Sequence, residues 1–229
     1  MKRGSLTGDT VTKSSNGYSS TRANVRIVAI SGPRKYNPAQ RRTNLTDAAI
    51  ELLGAEGSRG LTHPRLDRHA GLPAGTTSYY FRTRKALLHG VAERITELDL
   101  ADLSMLDEHS DRFDPHYGGT LGLARLVLLA GMEPYLTRTR ARFELILYSH
   151  QDDELAATLR SYSVQFYGLA REVIARWYDD PTVLPVEIEE RAVVVLTFIS
   201  GVLTSLVHGN PVTNDASHLD QLIRQLLRR

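Results

Sequence analysis

Small, hydroxyl-bearing and ring side chains follow one another in residues 69–81, which read HAGLPAGTTSYYF. Ala74, Gly75 and Thr76 would let a helix lie close to a surface, since none of them carries a long side chain. Short side chains, hydroxyls and rings are the types that meet phosphates and base edges where a helix enters a DNA groove. The segment is therefore a candidate for nucleic-acid recognition.

The direction of each side chain follows from helical periodicity. If the segment is helical, Thr77 turns inward, whereas Thr76, Tyr79 and Tyr80 face outward. A single ring at a helix end is more often a core residue than a DNA contact. We expect Phe81 to be such a core residue and to tie this helix to the first helix of the chain.

Cationic side chains flank the segment on both sides. Lysine and arginine neutralise phosphates and supply the sequence-independent part of DNA affinity. We expect a ring of positive charge around the contact surface, made of Arg41, Arg42, Arg65, Arg68, Arg82, Arg84 and Lys85.

Charge is divided unevenly along the chain. The net charge is +2, but residues 1–90 hold 15 Lys and Arg against 5 Asp and Glu, a net charge of +10, and the remainder has a net charge of −8. A basic front and an acidic rear suggest that only the front part meets a polyanion.

Composition and motifs argue against several functional classes. The 229 residues include no cysteine, which removes disulfides, thiolate metal sites and cysteine nucleophiles. No HExxH, phosphate-loop or GxSxG motif occurs, so we expect no enzymatic activity, no metal and no cofactor. The sequence has no signal-peptide core and no uninterrupted apolar stretch of about 18 residues, which predicts a cytoplasmic protein without a membrane partner.

Hydrophobic spacing places the recognition segment in a group of three helices. Apolar residues recur at three- and four-residue spacing from Pro38 until Gly57, where the first helix ends. Thr62 is positioned as the N-cap of a second, short helix, and Gly71 permits the left-handed backbone that ends it. A third helix over about 74–81 completes a helix-turn-helix, whose second helix normally enters the major groove.

The rest of the chain shows helical periodicity and no strand pattern of useful length, so the predicted fold class is all-α. Thr83 is placed to cap a long helix, and a break is expected over 109–118. Further helices are predicted over 120–135, 137–150, 152–178, 185–207 and 217–227.

Residues 40–90, and above all LTHPRLDRHAGLPAGTTSYYFRTRKALL, resemble the DNA-binding domain of the TetR family of transcriptional repressors. The shared features are the glycine turn, the ring-rich recognition helix and the K-ALL start of the next helix. The resemblance implies that Thr62 caps the second helix and touches phosphate, and that Ala74 to Thr77 and Tyr79 approach bases. The residues implied to hold the DNA backbone are Tyr80 and Arg84.

Several positions depart from the pattern of that family. Asp67 lies where a small residue usually packs against the recognition helix, so its carboxylate must be solvated or hydrogen-bonded. Ser78 replaces a usual tyrosine, and His63 and Pro64 are unusual at the start of the second helix. These differences bear on the angle between the two helices and on the operator sequence.

The resemblance also implies that the helices behind the DNA-binding part enclose a small-molecule inducer. Rings mixed with polar side chains are typical of a ligand cavity, and equally typical of a core. The candidate pocket residues are Arg125, Met132, Tyr135, Phe143, Tyr148, Tyr162, Phe166 and Trp177.

Residues 192–207, AVVVLTFISGVLTSLV, are apolar on nearly every face of a helix. Such a helix is buried all round, and the segment is short for a membrane span, which needs about 20 residues. We expect it and the last helix to pair with their symmetry mates, the alternative being a central helix of a monomer. The predicted interface residues are Val194, Phe198, Gly201, Ser205, Leu222 and Leu226.

Three regions are predicted: a flexible basic tail over 1–36, a helix-turn-helix head over 37–83, and a helical ligand-binding and dimerisation region over 84–229. The predicted function is a homodimeric repressor that binds a palindromic duplex-DNA operator and is released by a small-molecule inducer. A sequence-tolerant architectural DNA-binding protein is the alternative, and activation of transcription is also open.

Overall fold

The computed structural model describes residues 37–113, 119–178 and 182–228. The pattern of contacts between Cα atoms divides the chain into two units, residues 1–36 and residues 37–229. The first unit, which is predicted to be a flexible tail, lies outside the described residues, as do residues 114–118 of the predicted break.

The described residues form helices and no strand, which confirms the all-α prediction. A short 3-10 helix, Ser149–Gln151, lies between α6 and α7. In chain order the α-helices are α1 (Pro38–Gly60), α2 (His63–His69), α3 (Thr76–Tyr80), α4 (Arg84–Phe113), α5 (Gly119–Leu129), α6 (Tyr135–Tyr148), α7 (Asp153–Tyr178), α8 (Pro185–Val207) and α9 (Ala216–Leu227).

Three predicted boundaries are wrong. The helix predicted over 120–135 ends at Leu129, because a turn precedes Pro134 and a residue before proline disfavours helical backbone. The helix α4 continues to Phe113, although the sequence predicts a break from residue 109. The helix α3 begins at Thr76 and not at residue 74, because Gly75 is left-handed with φ 89°.

The first helix begins and ends as its sequence predicts. The Asn37 side chain accepts a hydrogen bond from the backbone N–H of Gln40 (3.3 Å), and Pro38 occupies the first turn, where no helical hydrogen bond is lost. Gly57 has φ 69° and ψ −178°, so regular helix stops there and a short turn leads to Leu61.

Buried apolar side chains form two clusters. The first joins α1, α2, the start of α4, and α6, and includes the fully buried Leu45, Leu66 and Leu87. The second joins α5, α7, α8 and α9. The head therefore shares its core with α4 and α6, and the division at residue 83 stays a functional prediction.

The helices α1 and α6 lie in close contact at Gly54. A Cβ atom on Gly54 would lie 2.3 Å from the backbone carbonyl oxygen of Thr137 on α6. One turn further along α1, the Glu144 carboxylate on α6 accepts a hydrogen bond from the backbone N–H of Ser58 (2.7 Å). The position of α6 is therefore fixed against the head by backbone contact and by a hydrogen bond.

We expect Gly54→Ala to destabilise the chain by about 1–3 kcal/mol, because the added methyl group meets a backbone atom that no rotamer change can move. Gly168→Ala in α7 is the matched control, since no atom lies within 4 Å of its Cβ position and alanine favours a helix. Urea denaturation of both variants measures the difference. A Gly54→Ala protein as stable as the Gly168→Ala protein would contradict the close packing of α1 and α6.

Candidate nucleic-acid interface and internal cavity

A left-handed turn joins the two short helices α2 and α3. Gly71 has φ 64°, as its place in the sequence predicts, and the N–H of Leu72 donates to the carbonyl oxygen of Asp67 (2.8 Å). Gly75, immediately before α3, is also left-handed, a conformation that strains residues with a side chain. Two glycines thus turn the chain so that α3 follows α2 at an angle.

The carboxylate of Asp67 caps the start of α3. It accepts hydrogen bonds from the backbone N–H groups of Gly75 (2.8 Å) and Thr77 (2.7 Å) and from the Thr77 hydroxyl (2.6 Å). The Asp67 residue is 3% exposed. Burial would raise the pKa of Asp67, but the hydrogen bonds from Thr77 and Gly75 outweigh burial and hold the pKa below its ordinary value. Asp67, which departs from the pattern of the TetR family, is therefore the cap of α3.

Thr77 and Phe81 turn inward, as predicted. Thr77 is 0% exposed and bonded to Asp67, so the implied contact of its side chain with bases is corrected. Phe81 lies in the first core, and a Cβ atom on Gly90 of α4 would lie 2.6 Å from its ring. The inner side of α3 therefore packs within the protein.

The outer surface of α3 carries short polar side chains and one exposed ring. Tyr79 is 74% exposed, Ser78 is exposed, and Thr76 is half-buried. Tyr80 is half-buried and packs against the first core, with its ring edge-on to Tyr79 at 5.1 Å between centroids. We call Thr76, Ser78 and Tyr79, with the exposed Ala74 and Gly75, the reading face.

Several of the predicted phosphate ligands are engaged inside the molecule. Arg84 donates to the backbone carbonyls of Leu61 and Ser58, 23 and 26 residues away in sequence. Arg42 lies 4.3 Å from the Phe81 ring centroid and donates to the Tyr80 carbonyl (3.5 Å). The remaining two engaged cations are Arg65, paired with Glu56, and Lys85, paired with Asp152 and Glu154.

The predicted ring of positive charge is therefore smaller than expected. Arg41, Arg68 and Arg82 form no ion pair with any other described residue. Arg68 and Arg82 are exposed, and Arg41 is half-buried. Within the described part of the chain, these three guanidinium groups are therefore not held by a carboxylate.

The start of α2 differs from its prediction. Thr62 occupies the N-cap position with extended backbone, but its side chain makes no capping hydrogen bond, so the predicted cap is wrong. The Nε2 atom of His63 lies 2.7 Å from the carbonyl oxygen of Phe81 instead. This unusual histidine therefore ties the start of α2 to the end of α3.

A charged junction connects the start of α4 with the start of α7. The Lys85 ammonium lies 3.2 Å from Asp152 and 2.9 Å from Glu154, and hydrogen bonds to Glu154 and Asp152 raise the pKa of Lys85. The imidazole of His89 lies 3.3 Å from the Asp152 carboxylate. His89, Asp152 and Glu154 could hold a metal ion by their spacing, but Lys85 supplies the positive charge there.

A cavity of about 460 Å³ lies among α4, α5, α6, α7 and α8. Four of the eight predicted pocket residues line it: Tyr135, Phe143, Tyr162 and Phe166. The other four do not. Met132 is exposed, Tyr148 packs against the first core, and Trp177 lies beneath the Arg224 guanidinium (4.8 Å). Arg125 is the fourth residue outside the lining.

One wall of the cavity is charged. Asp99 and Asp102 of α4 face Arg138 and Arg142 of α6, with Arg138 bonded to both carboxylates and Arg142 bonded to Asp99. Burial raises the pKa of Asp99 in spite of the two guanidinium groups. These four residues were not predicted from the sequence, although their spacing of three and four residues places each pair on one helix face.

The helix α8 is apolar and largely uncovered. It is long and apolar enough to cross a membrane, and only 28% of its most apolar window is buried. Val194 is 44% exposed, and Gly201 is exposed too. The other predicted interface residues, which are Phe198, Ser205, Leu222 and Leu226, are half-buried. The helices α5, α6, α7 and α9 contact α8, and its exposed residues lie on a face that no described helix covers.

No family model matches the sequence, and no curated protein matches it. Solved structures share its fold. A TetR family member from Streptomyces coelicolor A3 has a TM-score of 0.61 at 20% identity, covering 83% of this chain and 99% of its own. The multidrug binding protein EbrR complexed with ethidium has a TM-score of 0.61 at 20% identity, covering 82% and 99%.

A transcriptional regulator from Saccharomonospora viridis in complex with choline has a TM-score of 0.67 at 13% identity, covering 82% of this chain and 96% of its own. The chain therefore has the fold of TetR-family regulators, as the resemblance of residues 40–90 implies. At these identities the likeness shows the fold alone.

We expect Asp67→Asn to destabilise the chain by about 1–3 kcal/mol, because a neutral amide replaces a buried charged acceptor. Since the folded-state pKa of Asp67 is lowered, the carboxylate stabilises the folded state above its unfolded pKa of about 3.9. This contribution is lost as the pH falls through the folded pKa. Urea denaturation of both proteins should therefore give a stability difference that is constant above about pH 5 and shrinks below about pH 4.

Asp215→Asn is the control for this prediction, because Asp215 caps α9 but is exposed. Its effect on the unfolding free energy should be smaller than that of Asp67→Asn. A difference between the native protein and Asp67→Asn that stays constant down to about pH 3 would contradict the cap.

Proposed function

We propose that the chain is a ligand-responsive repressor of transcription that binds a palindromic operator as a homodimer and is released by a small-molecule inducer. The observation that carries the proposal is the reading face. A short helix after a glycine turn presents exposed Ser78 and Tyr79, and a buried carboxylate holds its inner side. Such a helix fits the major groove, where hydroxyls and rings meet base edges and thymine methyl groups.

Arg41, Arg68 and Arg82 are the proposed phosphate ligands. Their lack of ion pairs with described residues leaves each guanidinium available without the loss of an internal contact. Arg84 and Arg42 are proposed to act indirectly, since they fix the loop before α2 and the end of α3. Lys85 joins the head to α7 and is not proposed to touch DNA.

The uncovered face of α8 supports a homodimer. Val193, Val194 and Gly201 expose apolar or small surface on one side of this helix, and soluble proteins rarely leave such surface in contact with water. A second copy would cover the face by symmetry. Two heads held in this way could reach successive major grooves about 34 Å apart. We expect such a protein to act in the cytoplasm and to catalyse no reaction.

The helices that line the cavity connect a bound ligand with the DNA-binding head. The cavity walls include α4, which starts directly after the head, and α6, which contacts α1 at Gly54. A ligand that moves α4 relative to α6 would change the separation of the two heads without touching the reading face. EbrR is solved with ethidium and the Saccharomonospora regulator with choline, and these complexes of proteins with the same fold support a small-molecule ligand here.

Fluorescence-anisotropy titration tests the proposal. The duplex upstream of the protein's own gene should bind about a thousandfold more tightly than a random duplex at the same salt concentration. An affinity ratio near one would contradict the repressor and favour the architectural alternative. Absence of binding to either duplex at low salt would contradict both.

Variants at the edge and at the centre of the reading face should behave differently. Arg82→Gln removes a phosphate ligand, so it should weaken binding to both duplexes and lower the slope of log affinity against log salt by about one. Thr76→Val should change the preference among sequences, since only its hydroxyl is lost. Arg228→Gln, an exposed arginine beyond α9, is the control for the charge change and should have no effect. Equal effects of Arg82→Gln and Thr76→Val on both duplexes would contradict this division of roles.

The dimer can be tested with matched substitutions. Val194→Asp places a charge on the uncovered face of α8 and should give monomers in light scattering at micromolar concentration, with loss of operator affinity. Val164→Asp in α7 is the control, because Val164 is similarly exposed but lies on another helix. A native protein that is already monomeric, or a Val194→Asp protein that stays dimeric, would contradict this interface.

A further inference from the structure

We propose that the cavity takes an uncharged, largely apolar, aromatic molecule and that its charged wall discriminates against both cations and anions. The inference rests on the proposed ligand response and names the class of ligand for that same cavity. It follows from the charge and the hydrogen bonds of the described side chains that line the space.

The charged side chains of the lining neutralise one another. Asp99, Asp102, Arg138 and Arg142 carry two negative and two positive charges. The Nε atom of Arg138 lies 3.2 Å from Asp99, and further ion pairs join Arg138 to Asp102 and Arg142 to Asp99. Asp99 is 8% exposed, so water contributes little to its solvation. The four residues form one closed network with no net charge.

A charged ligand would have no partner among these side chains. Burying an ion without a counter-ion is strongly unfavourable, and taking a partner from the network leaves another charge unpaired. Each outcome weakens the binding of a cation and of an anion alike. An uncharged ligand meets neither cost.

The rest of the lining favours rings. Phe143, Phe166, Tyr135 and Tyr162 provide faces and edges on which a planar ring can stack. The volume of about 460 Å³ is that of a cavity for a drug-sized molecule.

Most hydroxyl groups of the lining already donate a hydrogen bond within the protein. The hydroxyls of four residues donate to backbone carbonyls of their own helices at 2.8–3.0 Å, which leaves their lone pairs to accept from a ligand. These residues are Thr139, Ser163, Ser200 and Thr204. A ligand with one or two neutral donor groups, such as hydroxyls, would therefore be oriented here without carrying charge.

The proposal sets this chain apart from its structural neighbours. Ethidium and choline, which are bound in two of those structures, are cations. A carboxylate without an arginine partner would favour a cation, whereas both described lining carboxylates of this chain already pair with arginine. We therefore expect the shared fold to come with a different ligand preference.

Three dyes of similar size test the preference on the full-length protein: uncharged Nile red, cationic ethidium and anionic 1-anilinonaphthalene-8-sulfonate. Fluorescence titration should show that Nile red binds at least tenfold more tightly than either charged dye. Ala130→Trp, which fills the lining from the turn after α5, should weaken Nile red binding, whereas Val164→Ser on the exposed side of α7 should not. This pair separates binding in the cavity from binding to the surface.

Charge substitutions give the sharper test, because they should reverse the preference in opposite directions. Arg142→Gln leaves one arginine facing two carboxylates, so ethidium should gain about tenfold in affinity. Asp99→Asn leaves two arginines facing one carboxylate, so the anionic dye should gain by a similar factor. The double variant Asp99→Asn with Arg142→Gln restores neutrality and should restore the preference for Nile red.

Native protein that binds either charged dye as tightly as Nile red would overturn the proposal. So would single variants that leave the order of the three affinities unchanged, or binding of Nile red that persists in Ala130→Trp. If none of the dyes binds, the cavity does not take ligands of this size and the proposal fails. Duplex-DNA titration of the same samples reports separately on the proposed regulatory function, so the two failures are distinguishable.

Discussion

The reading face depends on the buried carboxylate of Asp67. An isolated helix of five residues is not stable in water, because nucleation costs more than so few hydrogen bonds return. The Asp67 carboxylate bonds the first N–H groups of α3, and Phe81 anchors its end in the first core. The reading face can contact bases only while these two contacts hold α3 at one angle to α2.

The same head is connected to the cavity by contacts of a different kind. The ion pairs between α4 and α6 form one wall of the cavity, and α6 contacts α1 through the backbone at Gly54. Arg94 on α4 is also bonded to Asp47 on α1 (2.7 Å). Movement of α4 against α6 therefore cannot occur without a change in how the head is held. These contacts are the physical basis of the proposed response of the head to a molecule bound in the cavity.

The sequence predicted what depends on local backbone. Gly57 ends regular helix and Gly71 takes the left-handed conformation, as predicted, and the bounds of α8 match the prediction, because proline, glycine and periodicity act over a few residues. The sequence could not predict which arginines form contacts within the protein. The partners of Arg84 lie 23 and 26 residues away, and only the tertiary structure brings them together.

The residues that line the cavity were also predicted only in part. Phe166 lines the cavity and Tyr148 packs in the core, yet both are rings on the inner faces of helices. Hydrophobic spacing tells that a side chain turns inward, but not whether it meets another side chain or an empty volume. The charged wall was missed because aspartate and arginine ordinarily mark a solvated face.

Selection of bound sequences from a pool of random duplexes tests the central claim most directly, since it requires the head, its cap and the pairing of two copies at once. A dimer with two reading faces should enrich a palindrome whose half-sites lie about one helical turn apart. A bound pool with the same base composition as the input, or enrichment of a single half-site without a symmetric partner, would contradict it.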